Sequence, residues 1–378
     1  MKIVVAPNAF KGSLTAAEAA LAMEAGIKNV EPDADVVRVP VADGGDGLVD
    51  VAVESLGGEI RTLEVTGPLF EPVSANYCYV RSRDLVIVEM ALSSGLALVP
   101  ESLRDPARTT SFGTGELIRA GLDLGVGRIN VGIGGSATND GGMGMAQALG
   151  VRFLDQEGKE LPGIGASLGA VAAIDMSNFD SRVGKTRIEA VCDVENPLCG
   201  PNGAAHVYGP QKGADLRQVQ ELDRGMQNFA AVIRRDLGLD VESLPGAGAA
   251  GGMGAGLHAF LGAGLRKGID LIFELVGLRE KMVGADLVFT GEGQIDYQTV
   301  FGKAPGGVGV LSRELGIPCL AIAGSIGSEL GDLHACGITS VFSLCSGPLS
   351  LAEAMADSRK HITRAIEQVL RCFLAGCS

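Results

Sequence analysis

Short apolar runs alternate with helix-forming segments at both ends of this sequence of 378 residues. Residues 2–7 form an apolar run without polar alternation, and a helical pattern follows over about residues 15–28. Thr15 and Glu18 have the spacing of a capping box, which predicts where this first helix begins. A second strand is predicted over residues 35–41, and a second helix follows it. Consecutive β-α-β units of this kind build a sheet of parallel strands.

The same alternation returns at the far end of the chain. Strands are predicted there at 286–290, 318–323 and 339–344, with helices near 304–315, 329–336 and 350–373. Two separated stretches with one rhythm indicate a single doubly wound, mostly parallel sheet of the Rossmann or flavodoxin type. We therefore predict a discontinuous α/β domain formed by residues 1–59 and 284–378.

The middle of the sequence has a different pattern. Segments rich in β-formers at 60–65, 73–80 and 85–90 are joined by turns too short for parallel crossovers, which favours antiparallel pairing. Strands at 128–133 and 188–192 and helices near 114–124, 143–149, 215–237 and 254–265 complete this block. We predict that residues 60–283 form a second, mixed α/β domain inserted into the first, with a cleft where the loops of the two domains face each other.

Charge and hydropathy limit the classes of function. The formal net charge is −14, which repels a polyanion, so we expect no nucleic-acid partner. No stretch approaches the roughly 18 uninterrupted apolar residues of a membrane span, and the N-terminus lacks the pattern of a signal peptide. We expect a soluble, cytoplasmic protein that binds no membrane. The sequence does not indicate its oligomeric state.

Glycine is unusually abundant in this chain. The sequence holds 56 glycines, about twice the usual share. They concentrate in polar loops that follow predicted strands, at residues 8–13, 42–47, 132–142, 193–213, 245–256 and 290–303. Open α/β sheets bind ligands at the carboxyl ends of their strands. We therefore expect these loops to surround a large or two-part ligand, although the run at 245–256 could equally serve helix packing.

The loop at residues 132–142 is a candidate anion site. It follows an apolar strand and precedes a predicted helix, so its amides and the helix dipole could hold a phosphate. We assign a nucleotide-phosphate role to Gly134, Gly135, Ser136, Thr138, Asn139 and Asp140. A simple tight turn against a helix is the structural alternative.

The same loop also fits a dinucleotide fingerprint. The spacing Gly132-x-Gly134-x-x-Ala137 matches the glycine pattern of that motif, and Asp155 or Glu157 lies at about the distance of its ribose-binding acid. A nicotinamide-dependent oxidoreductase therefore remains an alternative from the residues alone.

Charged residues in other loops suggest how an anionic ligand could be held and activated. Lys11 precedes a predicted helix start, and Lys212 lies between glycines in Gly209-Pro210-Gln211-Lys212-Gly213, a setting suited to phosphate or carboxylate binding. Asp193 follows an apolar strand and could accept a proton from a substrate hydroxyl. Each of these side chains could instead lie in solvent or cap a turn.

Acidic residues on small-residue loops form a further candidate group. Asp43 and Asp46 lie among glycines, and Glu292 and Asp296 follow a predicted strand near the other end of the chain. Magnesium takes one or two protein carboxylates while it bridges phosphates. We assign Glu292 and Asp296 as candidate magnesium ligands, with turn capping as the alternative role.

Taken in order along nearly the whole chain, these segments resemble the glycerate kinase family. The matching motifs are Phe10-Lys11-Gly12-Ser13, Val41-Ala42-Asp43-Gly44-Gly45, Gly113-Thr114-Gly115-Glu116, residues 132–142, Cys192-Asp193-Val194, Gly209-Pro210-Gln211-Lys212-Gly213, residues 245–252, and Thr290-Gly291-Glu292-Gly293 with Asp296. The resemblance implies a fold of two domains with one inserted, ATP and Mg²⁺ as cofactors, and phosphoryl transfer to a hydroxyl of D-glycerate. It also implies 2-phosphoglycerate as the product.

Phosphoryl transfer needs alignment, charge neutralisation and a proton acceptor more than covalent chemistry. In that scheme Asp193 is the candidate base, and Lys11 and Lys212 are the candidate charge stabilisers. The sequence departs from the usual family pattern at Asn8, where an Asp is expected, which removes a carboxylate from one loop. A non-catalytic metabolite-binding protein therefore remains a second alternative.

Overall fold

The computed structural model describes residues 1–42, 47–300 and 303–376. The chain packs into two compact units. Unit 1 comprises residues 1–43, 54–56 and 269–378, and unit 2 comprises residues 44–53 and 57–268. No helix within the described ranges is long and apolar enough to cross a membrane.

The secondary structure follows the chain in this order. The strands are β1 (Lys2–Pro7), β2 (Asp35–Arg38), β3 (Glu59–Thr66), β4 (Pro72–Val80), β5 (Leu85–Glu89), β6 (Arg128–Gly132), β7 (Arg152–Leu154), β8 (Ala173–Asp175), β9 (Arg187–Val191), β10 (Gly264–Arg266), β11 (Leu287–Ile295), β12 (Cys319–Ile326) and β13 (Ser340–Ser343). The α-helices are α1 (Ala16–Val30), α2 (Leu48–Leu56), α3 (Ala91–Ser94), α4 (Phe112–Asp123), α5 (Met143–Ala148), α6 (Ala204–Tyr208), α7 (Leu216–Leu237), α8 (Ala249–Leu261), α9 (Gly268–Val276), α10 (Leu278–Met282), α11 (Ala304–Leu315), α12 (Leu351–Ala356) and α13 (Ser358–Gly376). Short 3₁₀ helices include Pro210–Lys212 and Tyr297–Val300.

Unit 1 is built on a parallel sheet with the strand order β13-β12-β11-β1-β2. Counted within the unit, this is the flavodoxin-like order 2-1-3-4-5. The chain adds β2 on one side of β1 and, after unit 2, adds β11 to β13 on the other side. This reversal creates a topological switch point between β1 and β11, where open α/β sheets bind their ligands. The predicted doubly wound sheet is confirmed.

Helices cover this sheet and bury its apolar side chains. Ile3 on β1 and Phe289 on β11 belong to a core shared with Met23 of α1 and Ile366 of α13, while α11 also packs on the sheet. The helix α1 begins where the sequence predicts. The Thr15 side chain accepts a hydrogen bond from the amide of residue 18, and the side chain of residue 18 accepts one from the Thr15 amide, a cap that stabilises a helix by about 1 kcal/mol.

Unit 2 contains a mixed sheet in the order β10-β9-β6-β5-β4-β3. The strands β3, β4 and β5 pair antiparallel, as their short connections predict, and the remaining neighbours pair parallel. Phe153, Phe229 and Phe260 form an aromatic group in the core of this unit, with ring centroids 5.5 to 6.2 Å apart. The strands β7 and β8 pair only with each other among the described strands.

Some predicted helices differ from the structure. The helix predicted at 329–336 is wrong, since these residues form turns in which Gly331 has a φ of 55° and Gly337, just beyond, has a φ of 106°. The helix predicted at 350–373 is two helices, α12 and α13, separated at Asp357.

Residues 269–283 belong to unit 1 in the structure, whereas the sequence places them in the inserted domain. The reason is local packing. A Cβ added to Gly307 of α11 would lie 2.4 Å from Ile269 and 3.2 Å from Phe273 of α9, so these two helices are in close contact.

Candidate active site

A pocket of about 310 Å³ lies in unit 2 at the carboxyl ends of β6 and β9. It is lined by Leu96, Ile133, Gly134, Gly135, Ser136, Val191, Cys192, Asp193, Val194, Tyr208, Gln211, Lys212, Ala249 and Ala250. Because β6 and β9 are parallel neighbours, the loops that leave them emerge at the same edge of the sheet. Pockets of this size and position commonly hold small ligands or one part of a larger ligand.

Lys212 brings a buried amine to this pocket. The residue is 2% exposed, and its Nζ atom donates hydrogen bonds of 2.8 Å to the Oγ of Ser136 and to the main-chain oxygen of Thr138. Burial lowers the pKa of Lys212 to about 7, while the nearby Asp140 carboxylate acts in the opposite direction. A buried ammonium is costly unless it meets an anion, so Lys212 is suited to hold an anionic group in the pocket.

The turn around Lys212 requires glycine. Gly213 has a φ of 101°, and a Cβ at this position would lie 2.3 Å from the main-chain oxygen of Arg104. Only glycine combines that backbone conformation with such a close approach. The glycine beside the lysine therefore fixes the turn that carries Lys212 to the pocket.

The glycine-rich loop after β6 divides into two parts. The structure brings Gly134, Gly135 and Ser136 to the pocket lining. It buries Thr138, Asn139 and Asp140 completely, and none of these three lines the pocket. The phosphate-binding role that the sequence assigns to the whole loop stays a prediction, and its direct contacts would come from the first half.

Asp140 serves the fold of this loop. Its carboxylate accepts hydrogen bonds from the amide and the hydroxyl of Ser111, at 2.9 and 2.7 Å, and from the amides of Gly142 and Gly144, at 3.1 and 3.2 Å. Burial raises the pKa of Asp140, and these hydrogen bonds act in the opposite direction. The amides at the start of α5, which the sequence offers to a phosphate, are thus bound by the chain's own carboxylate.

Asp193 lies two residues after the end of β9 and lines the same pocket. Its side chain is exposed, and its Oδ1 atom accepts a hydrogen bond of 2.7 Å from the amide of Gly268. This bond fixes the carboxylate at the pocket edge. A carboxylate held in this way can accept a proton from a ligand hydroxyl. Of the predicted catalytic residues, the structure therefore brings Asp193 and Lys212 to one pocket.

The other predicted residues lie in unit 1, at the switch point between β1 and β11. The amide of Asn8 donates to the oxygen of Gly291 at 2.8 Å, and a Cβ on Gly293 would lie 3.5 Å from the amide nitrogen of Lys11. The loop after β1 therefore lies beside the carboxyl-terminal half of β11. The side chain of Lys11 is exposed there.

The side chain of Asn8 has a local partner. It is 7% exposed, and its Oδ1 atom accepts a hydrogen bond of 2.8 Å from the amide of Ala9. This bond stabilises the first turn after β1.

The candidate magnesium ligands follow one another along β11 and the turn after it. Glu292 is 7% exposed, and its Oε1 atom accepts a hydrogen bond of 3.2 Å from the hydroxyl of Thr299 and lies 4.0 Å from the Nζ of Lys303. Asp296 is half-buried, and its main-chain amide donates to the same Thr299 hydroxyl at 3.2 Å. Thr299 therefore holds both acidic residues in one turn.

The two candidate ligands, Glu292 and Asp296, would supply only part of the shell of oxygen atoms around a Mg²⁺ ion. No cluster of three or more His, Cys, Asp or Glu side chains that could hold a metal occurs within the described ranges. Asp43 and Asp46 lie outside the described residues. Since Mg²⁺ usually keeps water and phosphate oxygens beside one or two carboxylates, the assignment of Glu292 and Asp296 as its ligands stays a prediction.

Sequence reasoning missed part of the pocket wall. Tyr208 and Ala250 line the pocket but were not singled out. Ala250 has a φ of 54°, unusual for a residue with a side chain. The next residue, Gly251, would place a Cβ 1.9 Å from the oxygen of Thr138, so only glycine fits. The glycine-rich run at residues 245–256 is the sequence signal for this part of the pocket wall, because it lets α8 approach the loop after β6.

The structure contradicts the dinucleotide-binding alternative. That fold needs the ribose-binding acid at the end of a parallel strand beside β6. Asp155 and Glu157 follow β7, which pairs antiparallel with β8 outside the main sheet. The Asp155 carboxylate instead accepts hydrogen bonds from the amides of Glu157 and Lys159, at 2.9 Å each. The glycine pattern is therefore a chance match.

These observations define the class of protein. It is an α/β protein with a flavodoxin-like unit and a mixed-sheet unit. The pocket of the mixed-sheet unit is lined by a glycine-rich loop, a buried lysine and an aspartate. Residues 3–374 match the Glycerate kinase family. The chain belongs to the glycerate kinase family.

Relatives match the chain over nearly its whole length. It is 46% identical over 376 residues to the protein named Glycerate 2-kinase of Escherichia coli K12, covering 100% of this chain and 99% of the relative. It is 47% identical over 367 residues to the Glycerate kinase of Halalkalibacterium halodurans, covering 97% of each. The crystal structure of a candidate glycerate kinase 2 from Salmonella typhimurium LT2 has a TM-score of 0.92 at 45% identity, covering 100% of this chain and 99% of that one. The family predicted from the motifs is confirmed.

Proposed function

We propose that this protein transfers the γ-phosphoryl group of ATP to a hydroxyl of D-glycerate and releases ADP and phosphoglycerate. Family membership over residues 3–374 supports this activity, as do relatives named glycerate kinase at 46% and 47% identity. The structural observation that carries the proposal is the buried ammonium of Lys212, which faces a pocket that also holds Asp193.

Asp193 is the proposed proton acceptor. The hydroxyl oxygen of glycerate attacks the γ-phosphorus, the bond to the β,γ-bridging oxygen breaks, and ADP leaves with that electron pair. The hydroxyl proton passes to the Asp193 carboxylate as the new bond forms. The hydrogen bond from Gly268 to Oδ1 keeps the carboxylate in place for this transfer, and positioned groups of this kind typically contribute about 100-fold or more to the rate.

Lys212 and Lys11 are the proposed charge stabilisers. Lys212 already donates to Ser136 and to the backbone of Thr138, so its ammonium is oriented before a ligand enters. Pre-oriented charges stabilise a transition state without further reorganisation. We propose that the amides of Gly134 and Gly135, with the Ser136 hydroxyl, contact the same anionic group. Lys11, exposed at the switch point of unit 1, is proposed to neutralise phosphate charge.

Glu292 and Asp296 would hold Mg²⁺. Bound there, the ion would supply positive charge that offsets the negative charge of the nucleotide phosphates. Glu292 keeps its carboxylate oriented through Thr299, and Asp296 is held in the same turn. Lys303, 4.0 Å from Glu292, partly offsets the negative charge of Glu292 before a cation is bound.

The position of transfer and the compartment belong to the same proposal. We propose 2-phosphoglycerate as the product, which the name of the Escherichia coli relative supports. We propose a cytoplasmic location because that compartment supplies ATP.

The direct test is ADP release by the purified protein with Mg²⁺, ATP and D-glycerate. We expect ADP formation that depends on D-glycerate, and phosphorus NMR of the product should show a phosphate ester on carbon 2. Thermal stabilisation by these ligands without any ADP release would overturn the kinase proposal in favour of a non-catalytic binding protein. An ester on carbon 3 would correct only the position of transfer.

A further inference from the structure

Asn196 connects separate chain segments next to the pocket. Its Oδ1 atom accepts a hydrogen bond of 2.7 Å from the hydroxyl of Tyr208, and its Nδ2 atom donates one of 2.9 Å to the oxygen of Asn202. Its main-chain oxygen accepts a bond of 3.0 Å from the amide of Gly248. One residue thereby joins the loop after β9, the helix α6 and the segment that leads into α8.

Each joined segment supplies part of the pocket wall. Asp193 lies three residues before Asn196, Tyr208 ends α6, and Gly248 directly precedes Ala249 and Ala250. Asn196 itself is half-buried and is not a lining residue. Its contribution must therefore pass through the residues that it holds.

Two of these segments pack closely against each other. A Cβ added to Gly248 would lie 2.1 Å from the main-chain oxygen of Pro197, so the backbones after β9 and before α8 touch directly. The Tyr208 contact is also short, since its hydroxyl lies 2.7 Å from the Oδ1 atom of Asn196. The amide of Asn196 therefore has a fixed partner on each side.

We propose that Asn196 is a positioning residue for phosphoryl transfer. It holds Asp193, Tyr208 and the start of α8 in the arrangement that the reaction requires, without touching the reactants. The inference rests on the function proposed above, in which Asp193 accepts the proton. A side chain that fixes a catalytic group from behind is needed because errors of about 1 Å in placement cost roughly 100-fold in rate.

The test is a double-mutant cycle between Asn196 and Asp193. Asn196→Leu keeps the number of side-chain heavy atoms and the branch at Cγ but removes both side-chain hydrogen bonds. We expect it to lower kcat by about 30-fold while the KM for ATP changes by less than about threefold. In an Asp193→Asn background, the same change should lower kcat by less than about threefold, because the group being positioned is already lost. A merely structural role would lower kcat by the same factor in both backgrounds.

Asn228 offers a matched control. It is also half-buried in unit 2, and its Nδ2 atom donates to the oxygens of Leu168 and Val171 at 2.9 and 3.0 Å. It does not line the pocket. Asn228→Leu should lower the Tm to a similar extent and leave kcat within twofold of the wild type.

Three results would overturn the inference. One is a wild-type kcat in Asn196→Leu, another is an equal loss in both backgrounds, and the third is an equal kcat loss in Asn228→Leu. Should Asn196→Leu fail to fold, Tyr208→Phe removes one of the same bonds, and the same cycle with Asp193→Asn applies. A wild-type protein that releases no ADP refutes the proposed function, and this inference with it, whereas additive losses in an active enzyme refute only the inference.

Discussion

The Nζ atom of Lys212 lies 2.8 Å from the main-chain oxygen of Thr138, so a turn near α6 is bonded directly to the loop after β6. The same atom bonds Ser136 at 2.8 Å. Two neutral oxygens orient the Lys212 amine without pairing it with a charge. The amine therefore stays available to an anion that enters the pocket, and the ligand meets a group that is already in place.

The first prediction concerns proton uptake on ligand binding. Burial lowers the pKa of Lys212 to about 7, so the ligand-free lysine is mostly neutral at pH 8. An anion bound beside it favours the charged form and raises its pKa. Binding of a non-hydrolysable ATP analogue with Mg²⁺ should therefore take up a proton at pH 8 and much less at pH 6, measured by calorimetry in buffers of different ionisation enthalpy.

The matched variant for this measurement is Lys212→Arg. Arginine stays protonated at every accessible pH, so the uptake at pH 8 should disappear while the analogue still binds. Equal uptake in the wild type and in the variant would assign the proton to another group, such as Asp140 or the nucleotide itself.

The second prediction concerns the proton acceptor. Asp193→Asn preserves shape and an acceptor oxygen for the Gly268 amide but removes the charge, so kcat should fall by about 100-fold or more with an unchanged Tm. Steady-state kinetics with D-glycerate measures the effect. Glu195→Gln, two residues further along the chain and paired with Lys267 at 3.5 Å, is the control and should keep a normal kcat. Near-normal turnover in Asp193→Asn would remove this residue from the mechanism.

The third prediction concerns stability. Asp140 accepts four hydrogen bonds in the interior, and Asp140→Ala leaves those buried donors without an acceptor. Because each unpaired buried donor is costly, the free energy of unfolding should drop by more than about 3 kcal/mol. Urea unfolding measures the change.

The control is Asp155→Ala. This variant loses two hydrogen bonds from main-chain amides, but Asp155 lies in a partly exposed turn, so the free energy of unfolding should fall by only about 1 kcal/mol. Similar losses in both variants would contradict the anchoring role of Asp140.

Local sequence signals were enough to predict much of the fold. The capping box at Thr15 places the start of α1, and apolar runs without alternation mark β1, β11 and β12 because strands covered on both faces carry few polar residues. Short connections after residues 60–65 and 73–80 predict antiparallel pairing, since no crossover fits within them. These features depend on neighbours in the sequence.

The site was harder to predict because its details depend on distant contacts. Asp140 has the residue type and loop position of a ligand-binding group, but Ser111, 29 positions away, takes up its carboxylate. Asp155 has the spacing of a ribose-binding acid, but the pairing of β7 with β8 removes it from the main sheet. The role of Asn196 depends on Tyr208 and Gly248, which no spacing rule connects to it. Residue chemistry selects candidates, and tertiary pairing decides which of them face the ligand.

The fourth prediction concerns Lys11. If it neutralises charge that develops during transfer, Lys11→Met should lower kcat and kcat/KM together, by about tenfold or more, because the interaction is made mainly in the transition state. Lys360→Met is a control in the same unit, on the exposed side of α13, and should behave as the wild type. A change confined to KM would indicate that Lys11 binds the ground state and the transition state equally.

The last prediction concerns the metal ligands. Glu292→Gln removes a charge and keeps an oxygen that can accept the hydrogen bond from Thr299, so the turn should fold normally. Mg²⁺ is a hard cation that prefers carboxylate oxygens, so the Mg²⁺ concentration for half-maximal activity should rise at least about tenfold, in keeping with the loss of one charge-assisted ligand bond. Excess Mg²⁺ should restore part of the activity.

The control for a general loss of negative charge is Glu314→Gln. Glu314 is a surface acid of the same unit and pairs with Arg279. If both variants need the same Mg²⁺ concentration as the wild type, Glu292 does not hold the metal. A reduced kcat with an unchanged Mg²⁺ requirement would instead assign its carboxylate to positioning the turn.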